Sequence, residues 1–139
     1  MSPRSLTLTI GTESFDGRLE IDTAPRSCQR LLELLPYRGS LIHARWSGES
    51  LWSPLGSAWQ AGVLPEESAT ERPQPGDMLL YAGEMSEPEL LMVYGPTRFA
   101  CRAGALAGNR VLRIEGGLDR LAALGRSALW HGALRLHID

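Results

Sequence analysis

The chain has 139 residues, of which 43% are hydrophobic and 22% charged, and its formal net charge is −2. This length predicts a single domain over residues 1–139, and the composition is typical of a folded globular protein rather than a disordered one. All 14 basic residues are arginine. Chemistry that requires a lysine amine, such as Schiff-base catalysis or the phosphate-binding P-loop, is therefore excluded.

Charge and hydropathy also limit the partners that we expect. The arginines are scattered among 16 acidic residues and form no basic cluster, so no nucleic-acid partner is expected. No segment approaches the roughly 18 apolar residues of a membrane helix, and residues 6–10 alternate instead of forming the apolar core of a signal peptide. We expect a cytoplasmic protein with no membrane partner. Cys28 and Cys101 lack a C-x-x-C spacing, which indicates reduced thiols and neither a disulfide framework nor a zinc site.

In the first half of the chain, alternating residues 6–10 and 15–21 predict a β-hairpin. A helix is predicted over residues 25–35, because Pro25 suits a first turn and the apolar positions that follow are spaced at i, i+3, i+4 and i+7. Strands 41–46 and 49–52 form a second predicted hairpin around Ser47 and Gly48. Residues 53–76 are rich in Ser, Gly, Pro and Glu, and a loop of this length is usually functional or mobile.

In the second half, strands are predicted over residues 78–81, 89–94, 110–115 and 133–138. A short helix is predicted from Leu118 to Leu124, with residues 125–132 as a turn or frayed helix. The total is about eight strands joined mostly as hairpins, together with two short helices. We therefore predict a mainly β protein, a closed or nearly closed antiparallel β-barrel capped by the two helices.

Two segments resemble cyclophilins. Residues 24–43, with the motif Tyr37-Arg38-Gly39-Ser40 leading to His43, are similar to the first helix and the following strand of that family. Residues 108–121 resemble its late strand and second helix. An uncharacterised bacterial group of cyclophilin-like proteins matches nearly end to end, through the P-x-P-G-D turn of residues 73–77 and the Tyr94-Gly95 and Gly108-Asn109 pairs. This resemblance implies an eight-stranded barrel and no assigned activity.

The same resemblance implies that proline isomerase activity is absent. Where cyclophilins have an arginine directly after the histidine, this chain has Ala44, and Arg45 would point to the opposite face. The pocket phenylalanine, glutamine and tryptophan of the family fall on Glu49, Trp52 and Ala105, and its late-strand histidine falls on Arg110. A register shift by one residue, with Arg45 taking over, is the alternative that remains open.

The polar and aromatic residues of the second hairpin are the first candidate site. His43, Arg45 and Glu49 could contact a ligand at the mouth of the barrel. The alternative is a structural histidine beside a surface cross-strand ion pair, which is worth only about 0–1 kcal/mol. Trp52 and Trp59 lead into the long loop and fit either a small-molecule pocket or the barrel core.

A second set of candidates lies later in the chain, at Tyr94, Asn109 and Arg110. The guanidinium group of an arginine binds carboxylates in bidentate geometry, which points to a carboxylate or amide ligand. Neither cysteine is adjacent in sequence to a histidine, no serine nucleophile motif is present, and the three histidines lack metal-ligand spacing, so no catalytic residues, metal or cofactor are predicted.

Three functional hypotheses follow from these residues. The first is a cyclophilin-like barrel that binds a small carboxylate or amide in a pocket built by residues 41–52, 53–76 and 108–113. The second, by analogy of fold alone, is an enzyme or enzyme subunit acting on amides or cyclic imides. The third is a protein-interaction module or homo-oligomer, which exposure of Trp46 or Trp59 would favour.

Overall fold

A computed structural model describes residues 4–139 and contains eleven strands and two α-helices in these residues. The first half of the chain forms β1 (Ser5–Ile10), β2 (Glu13–Leu19), α1 (Pro25–Glu33), β3 (Tyr37–His43), β4 (Gly48–Pro54) and β5 (Ala69–Thr70). The second half forms β6 (Asp77–Tyr81), β7 (Glu89–Thr97), β8 (Ala100–Cys101), β9 (Gly104–Ala105), β10 (Gly108–Ile114), α2 (Leu118–His131) and β11 (Leu134–Ile138). Neither helix is long and apolar enough to cross a membrane within the described residues.

Eight of the strands close into an antiparallel barrel. They follow the order β2-β1-β11-β3-β4-β7-β6-β10, and β10 pairs back onto β2, so the sheet has no free edge among these strands. The short strand β5 is added beside β10. The predicted mainly β, eight-stranded antiparallel barrel with two helices is confirmed.

Helix α1 packs against β10, where the Cys28 thiol donates a hydrogen bond to the Val111 carbonyl. Helix α2 packs against β3, β4 and β7 through Leu121, Gly125 and Ala128. The sequence predicted that this second helix would end near Leu124, and the structure continues it to His131. Glycine normally weakens a helix, but a side chain at Gly125 would collide with the ring of Tyr94. The glycine therefore allows α2 to pack closely against β7.

The strands β6 and β7 are buried on both faces, which is unusual for an antiparallel sheet. Leu90 and Met92 of β7 belong to the core inside the barrel, while Leu91 and Val93 belong to a second apolar cluster on its outer surface. The chain between residues 97 and 107, which includes the β8–β9 hairpin, covers that outer cluster through Phe99 and Leu106. The sequence analysis predicted no strands in this segment.

The long loop of residues 53–76 is attached to the body of the protein by hydrogen bonds. The Asn109 amide donates to Ser27 and to the Pro65 carbonyl, and its oxygen accepts from the Glu67 backbone. The Glu67 carboxylate in turn accepts hydrogen bonds from the first turn of α1.

Candidate functional site

A groove of about 390 Å³ lies on the outer surface of the barrel and is called the outer groove below. Its floor is formed by Trp52 of β4 and Leu91 of β7, which face each other across the two strands. Because β-strand side chains alternate between faces, both side chains point away from the barrel core. The groove is lined mostly by apolar atoms, as small-molecule sites usually are.

Three chain segments form the walls of the outer groove: residues 42–47, residues 85–86 and the β8–β9 hairpin. Ser47 ties the first wall to the third, because its hydroxyl donates to the Ala100 carbonyl at 3.1 Å and accepts from the Ala100 backbone at 3.0 Å. The Tyr81 hydroxyl accepts a hydrogen bond from the Met85 backbone at 3.1 Å and so positions the second wall. The groove is therefore held open by specific hydrogen bonds.

Glu89 is a buried carboxyl group in this groove. It begins β7 on the same outward face as Leu91, is 7% exposed, and makes no side-chain hydrogen bond or ion pair with the residues that the structure describes. Burial, with a smaller contribution from the Glu87 carboxylate, raises the pKa of Glu89 to about 7. A carboxyl group without partners, sited in a cleft and titrating near neutrality, is typical of a functional position.

Two arginines, Arg45 and Arg102, lie on opposite walls of the groove. Within residues 4–139 neither of them forms an ion pair or a side-chain hydrogen bond with the protein. Guanidinium groups left unpaired beside a cleft can donate hydrogen bonds to a carboxylate or to the carbonyl of an amide.

His43 also lines the groove, and both of its ring nitrogens are occupied. Nδ1 lies 2.9 Å from the Ala44 carbonyl oxygen, and Nε2 lies 2.8 Å from the Tyr94 hydroxyl. A carbonyl only accepts hydrogen bonds, so Nδ1 carries a proton and, in the neutral ring, Nε2 accepts from Tyr94. Burial and the Glu49 carboxylate raise the pKa of Tyr94, which keeps its hydroxyl protonated. His43 is thus held as a fixed part of the wall.

The structure brings together some of the residues singled out from the sequence. His43, Arg45 and Trp52 line the outer groove, and Tyr94 supports His43 from inside the barrel. Trp46 also lines it and is 55% exposed.

The other four candidates lie outside the groove. Glu49 does not pair with Arg45 but lies against Gly95, with Arg126 at 4.0 Å, because α2 packs over that face. Trp59 belongs to the apolar core and donates to the Gly62 carbonyl. Of the three segments predicted to build the pocket, residues 41–52, 53–76 and 108–113, only the first contributes to the outer groove, whose other residues come from 85–91 and 100–103.

Asn109 and Arg110 serve contacts within β10 and its neighbours. Asn109 is buried in the hydrogen bonds that hold the long loop. Arg110 lies 4.0 Å from the buried Asp77 carboxylate, which also accepts a hydrogen bond from Arg113 at 2.9 Å. These contacts form a structural ion network. In the sheet order, β10 lies on one side of β6, and β7, which contributes to the groove floor, lies on the other.

The sequence analysis missed Glu89 and Arg102. The available signal was a glutamate at the start of the otherwise apolar run of residues 89–93, where alternation places it on the same face as Leu91. Arg102 carried no signal, because it lies in a turn whose position depends on the unpredicted β8–β9 hairpin. Among the described residues, no group of three or more His, Cys, Asp or Glu side chains is placed to hold a metal ion.

Comparisons with known proteins agree with the geometry of the barrel. A family model described as a protein of unknown function, DUF3830, matches residues 6–138. The structure of McbB in complex with tryptophan is similar with a TM-score of 0.73 and 18% identity, covering 96% of this chain and 43% of McbB. The chain therefore spans less than half the length of McbB.

Cyclophilin structures are also similar. A Cryptosporidium parvum cyclophilin-type peptidyl-prolyl cis-trans isomerase, solved in the presence of the dipeptide Ala-Pro, matches with a TM-score of 0.54 and 11% identity, covering 88% of this chain and 85% of that one. A second structure of the same isomerase gives a TM-score of 0.55 and 10% identity, covering 89% and 85%. No curated protein matches the sequence. At these identities the solved structures support the fold and no particular activity.

Proposed function

We propose that this chain, which belongs to the DUF3830 family of unknown function, binds a small molecule bearing a carboxylate or amide group in the outer groove. The observation that carries the proposal is the buried, unpartnered Glu89 at the base of a mostly apolar groove. A carboxyl group that is mostly buried, has no hydrogen-bond partner in the described protein and opens into a cleft is available to a ligand.

The size and lining of the outer groove support this reading. Its volume of about 390 Å³ lies within the roughly 300–1,000 Å³ that is usual for small-molecule sites. Trp52 and Leu91 offer an apolar floor, and Arg45 and Arg102 offer guanidinium groups to a carboxylate or amide oxygen.

McbB, with a similar fold, has been solved with tryptophan, which suggests the first probes. Thermal unfolding of this chain would be followed with tryptophan, indole-3-propionate and benzamide. A ligand at one hundred times its dissociation constant stabilises the native state by about 2.7 kcal/mol. We expect stabilisation by at least one probe, lost in Arg45→Ala or Arg102→Ala and retained in Arg72→Ala, an exposed arginine away from the groove. No stabilisation by any probe, or stabilisation indifferent to the groove variants, would refute the proposal.

We also propose that the chain lacks proline isomerase activity. Ala44 follows His43, and Arg110, which the resemblance aligns with the late-strand histidine, lies outside the groove. Catalysis of the X–Pro barrier of about 20 kcal/mol needs a cation directed at the twisted amide. Arg45 lines the groove and is the cation that a register shift by one residue would supply. Isomerisation of a proline peptide above the uncatalysed rate, abolished by Arg45→Ala, would show that this second proposal is wrong.

A second candidate function is an enzyme acting on amides or cyclic imides, and one observation favours it. Burial raises the pKa of Glu89 to about 7, close to the value at which a general acid or base is most effective at neutral pH. The assay is hydrolysis of a cyclic imide such as succinimide or hydantoin by the wild type and by Glu89→Gln. Turnover by the wild type that the glutamine variant loses supports the enzyme, whereas equal background rates contradict it.

Of the two tryptophans on which the third hypothesis, an interaction module or homo-oligomer, depended, Trp46 supports it and Trp59 does not. Trp46 is 55% exposed at the groove rim, whereas Trp59 is 9% exposed in the core. Light scattering of the purified protein, with and without a probe, distinguishes a subunit interface at Trp46 from a ligand contact. If Trp46 formed an interface, either the probe would dissociate the subunits or the subunit contact would prevent the probe from binding.

A further inference from the structure

The charged side chains of the outer groove are of opposite sign and do not neutralise one another. Glu89 lies at its base, and Arg45 and Arg102 lie on its walls, yet none of the three has an ion-pair partner among residues 4–139. For Glu89, which is 7% exposed, an unpaired charge is unfavourable unless something supplies a partner, whereas the two exposed arginines are hydrated and free to pair with a ligand. A ligand with one charged group would leave one sign unmatched.

The two signs also lie at different depths. Glu89 is 7% exposed, whereas Arg45 and Arg102 are exposed residues. Glu89 is two residues from Leu91 on one face of β7, so its carboxyl group lies beside the apolar floor. The groove thus places a deep acceptor beside apolar surface, with donors nearer the solvent.

We infer that the ligand of the outer groove is a zwitterion with an apolar side group, whose cationic nitrogen pairs with Glu89 and whose carboxylate pairs with Arg45 or Arg102. This inference rests on the proposed function, because it names the ligand class of the same site. The side group would lie over Trp52 and Leu91.

A zwitterion in this position changes the protonation of the protein. The other titratable groups that line the groove with Glu89 are Cys101 and the two arginines, while the His43 ring is bonded to Tyr94 and Glu87 lies beside Glu89 in the chain. Burial raises the pKa of Glu89 to about 7, and a bound ammonium group would lower it again. Binding at pH 7 is therefore accompanied by release of about half a proton, and the affinity is about tenfold weaker at pH 6 than at pH 8.

The test is isothermal titration calorimetry with three matched probes: phenylalanine, 3-phenylpropionate and phenethylamine. We expect phenylalanine to bind more tightly than either singly charged compound, at least tenfold. Glu89→Gln should weaken phenylalanine about tenfold and abolish its pH dependence, while leaving 3-phenylpropionate unchanged. Arg102→Ala should weaken phenylalanine and leave phenethylamine unchanged. Glu84→Gln, which changes an exposed carboxyl group in the loop before β7 that does not line the groove, is the matched control.

The outcomes separate the two proposals. If 3-phenylpropionate binds as tightly as phenylalanine, and Glu89→Gln has no effect on either, the zwitterion inference is wrong and small-molecule binding stands. If none of the three compounds binds and the indole and amide probes also fail, the inference and the proposed function both fail. Proton release, measured in buffers of different ionisation enthalpy, should disappear in Glu89→Gln and persist in Glu84→Gln.

Discussion

Replacing Glu89 with glutamine tests whether this carboxyl group is as strongly desolvated as its surroundings indicate. The pKa of Glu89 lies at about 7, against an ordinary value of 4.5, and one pKa unit corresponds to about 1.4 kcal/mol. Ionising Glu89 in the folded protein therefore costs about 3 kcal/mol more than ionising it in the unfolded chain. Glutamine has nearly the same shape and does not ionise.

The sign of the pH dependence follows from proton binding. Between pH 4.5 and 7 the folded state holds a proton on Glu89 that the unfolded state has lost, so the stability of the wild type falls as pH rises through this range. Above about pH 7 both states are ionised and this contribution is constant. Glu89→Gln lacks it, so the variant should gain about 2 to 3 kcal/mol relative to the wild type between pH 5 and pH 8.

The assay is urea unfolding of both proteins at pH 5 and pH 8, without ligand, compared through the free energy of unfolding. Subtracting the wild type from the variant at each pH removes the titration of every other group. Glu84→Gln, which changes an exposed carboxyl group in the loop before β7, should show no such gain. A difference between Glu89→Gln and the wild type that is the same at both pH values would refute the argument that burial raises this pKa.

Three further predictions concern the rest of the fold. Burial alone would raise the pKa of Glu67, but hydrogen bonds from the first turn of α1 lower this pKa overall. Glu67→Gln should therefore lower the free energy of unfolding by about 1 kcal/mol at pH 7. The difference should shrink in acid, because the wild type loses the stabilisation by the Glu67 carboxylate as pH falls through the lowered pKa. Urea unfolding at pH 7 and pH 3 would measure both, and an effect independent of pH would count against the contact. A Cβ at Gly125 would lie 2.3 Å from the Tyr94 ring, so Gly125→Ala should lower the free energy of unfolding by about 1–3 kcal/mol. Helix propensity alone predicts the opposite, a gain of about 1 kcal/mol. A rise in melting temperature would therefore contradict this packing. Burial raises the pKa of Cys28 to about 11, so a disulfide reagent at pH 8 should modify only Cys101 in the folded protein, and rapid modification of Cys101→Ala would show that Cys28 is accessible.

The local patterns of the sequence were sufficient for the architecture. Alternating apolar residues in β1, β2 and β11 specified strands with one face inward, and a sheet of hairpins this long closes to protect its edges. Helix α1 followed from its spacing and from Pro25. These features depend on neighbours in the chain, which is why they could be predicted without the tertiary structure.

The outer groove depended on contacts between distant segments. Its third wall is a hairpin of two-residue strands, too short for alternation to reveal, which Ser47 holds through Ala100. Gly125 resembled a helix end until the structure placed it against Tyr94. Glu49, Asn109 and Arg110 had suitable chemistry, but partners distant in the sequence draw them into structural contacts.

The sequence by itself determined a single mainly β barrel with two helices, because periodicity and turn chemistry act over a few residues. Only the tertiary structure decided which polar groups meet in one cleft, because that depends on which strands are neighbours and which segments cover them. Glu89 shows the difference. Its place at the head of an apolar strand is visible in the sequence, but its burial, and hence its raised pKa, arises from walls contributed by residues far from it in the chain.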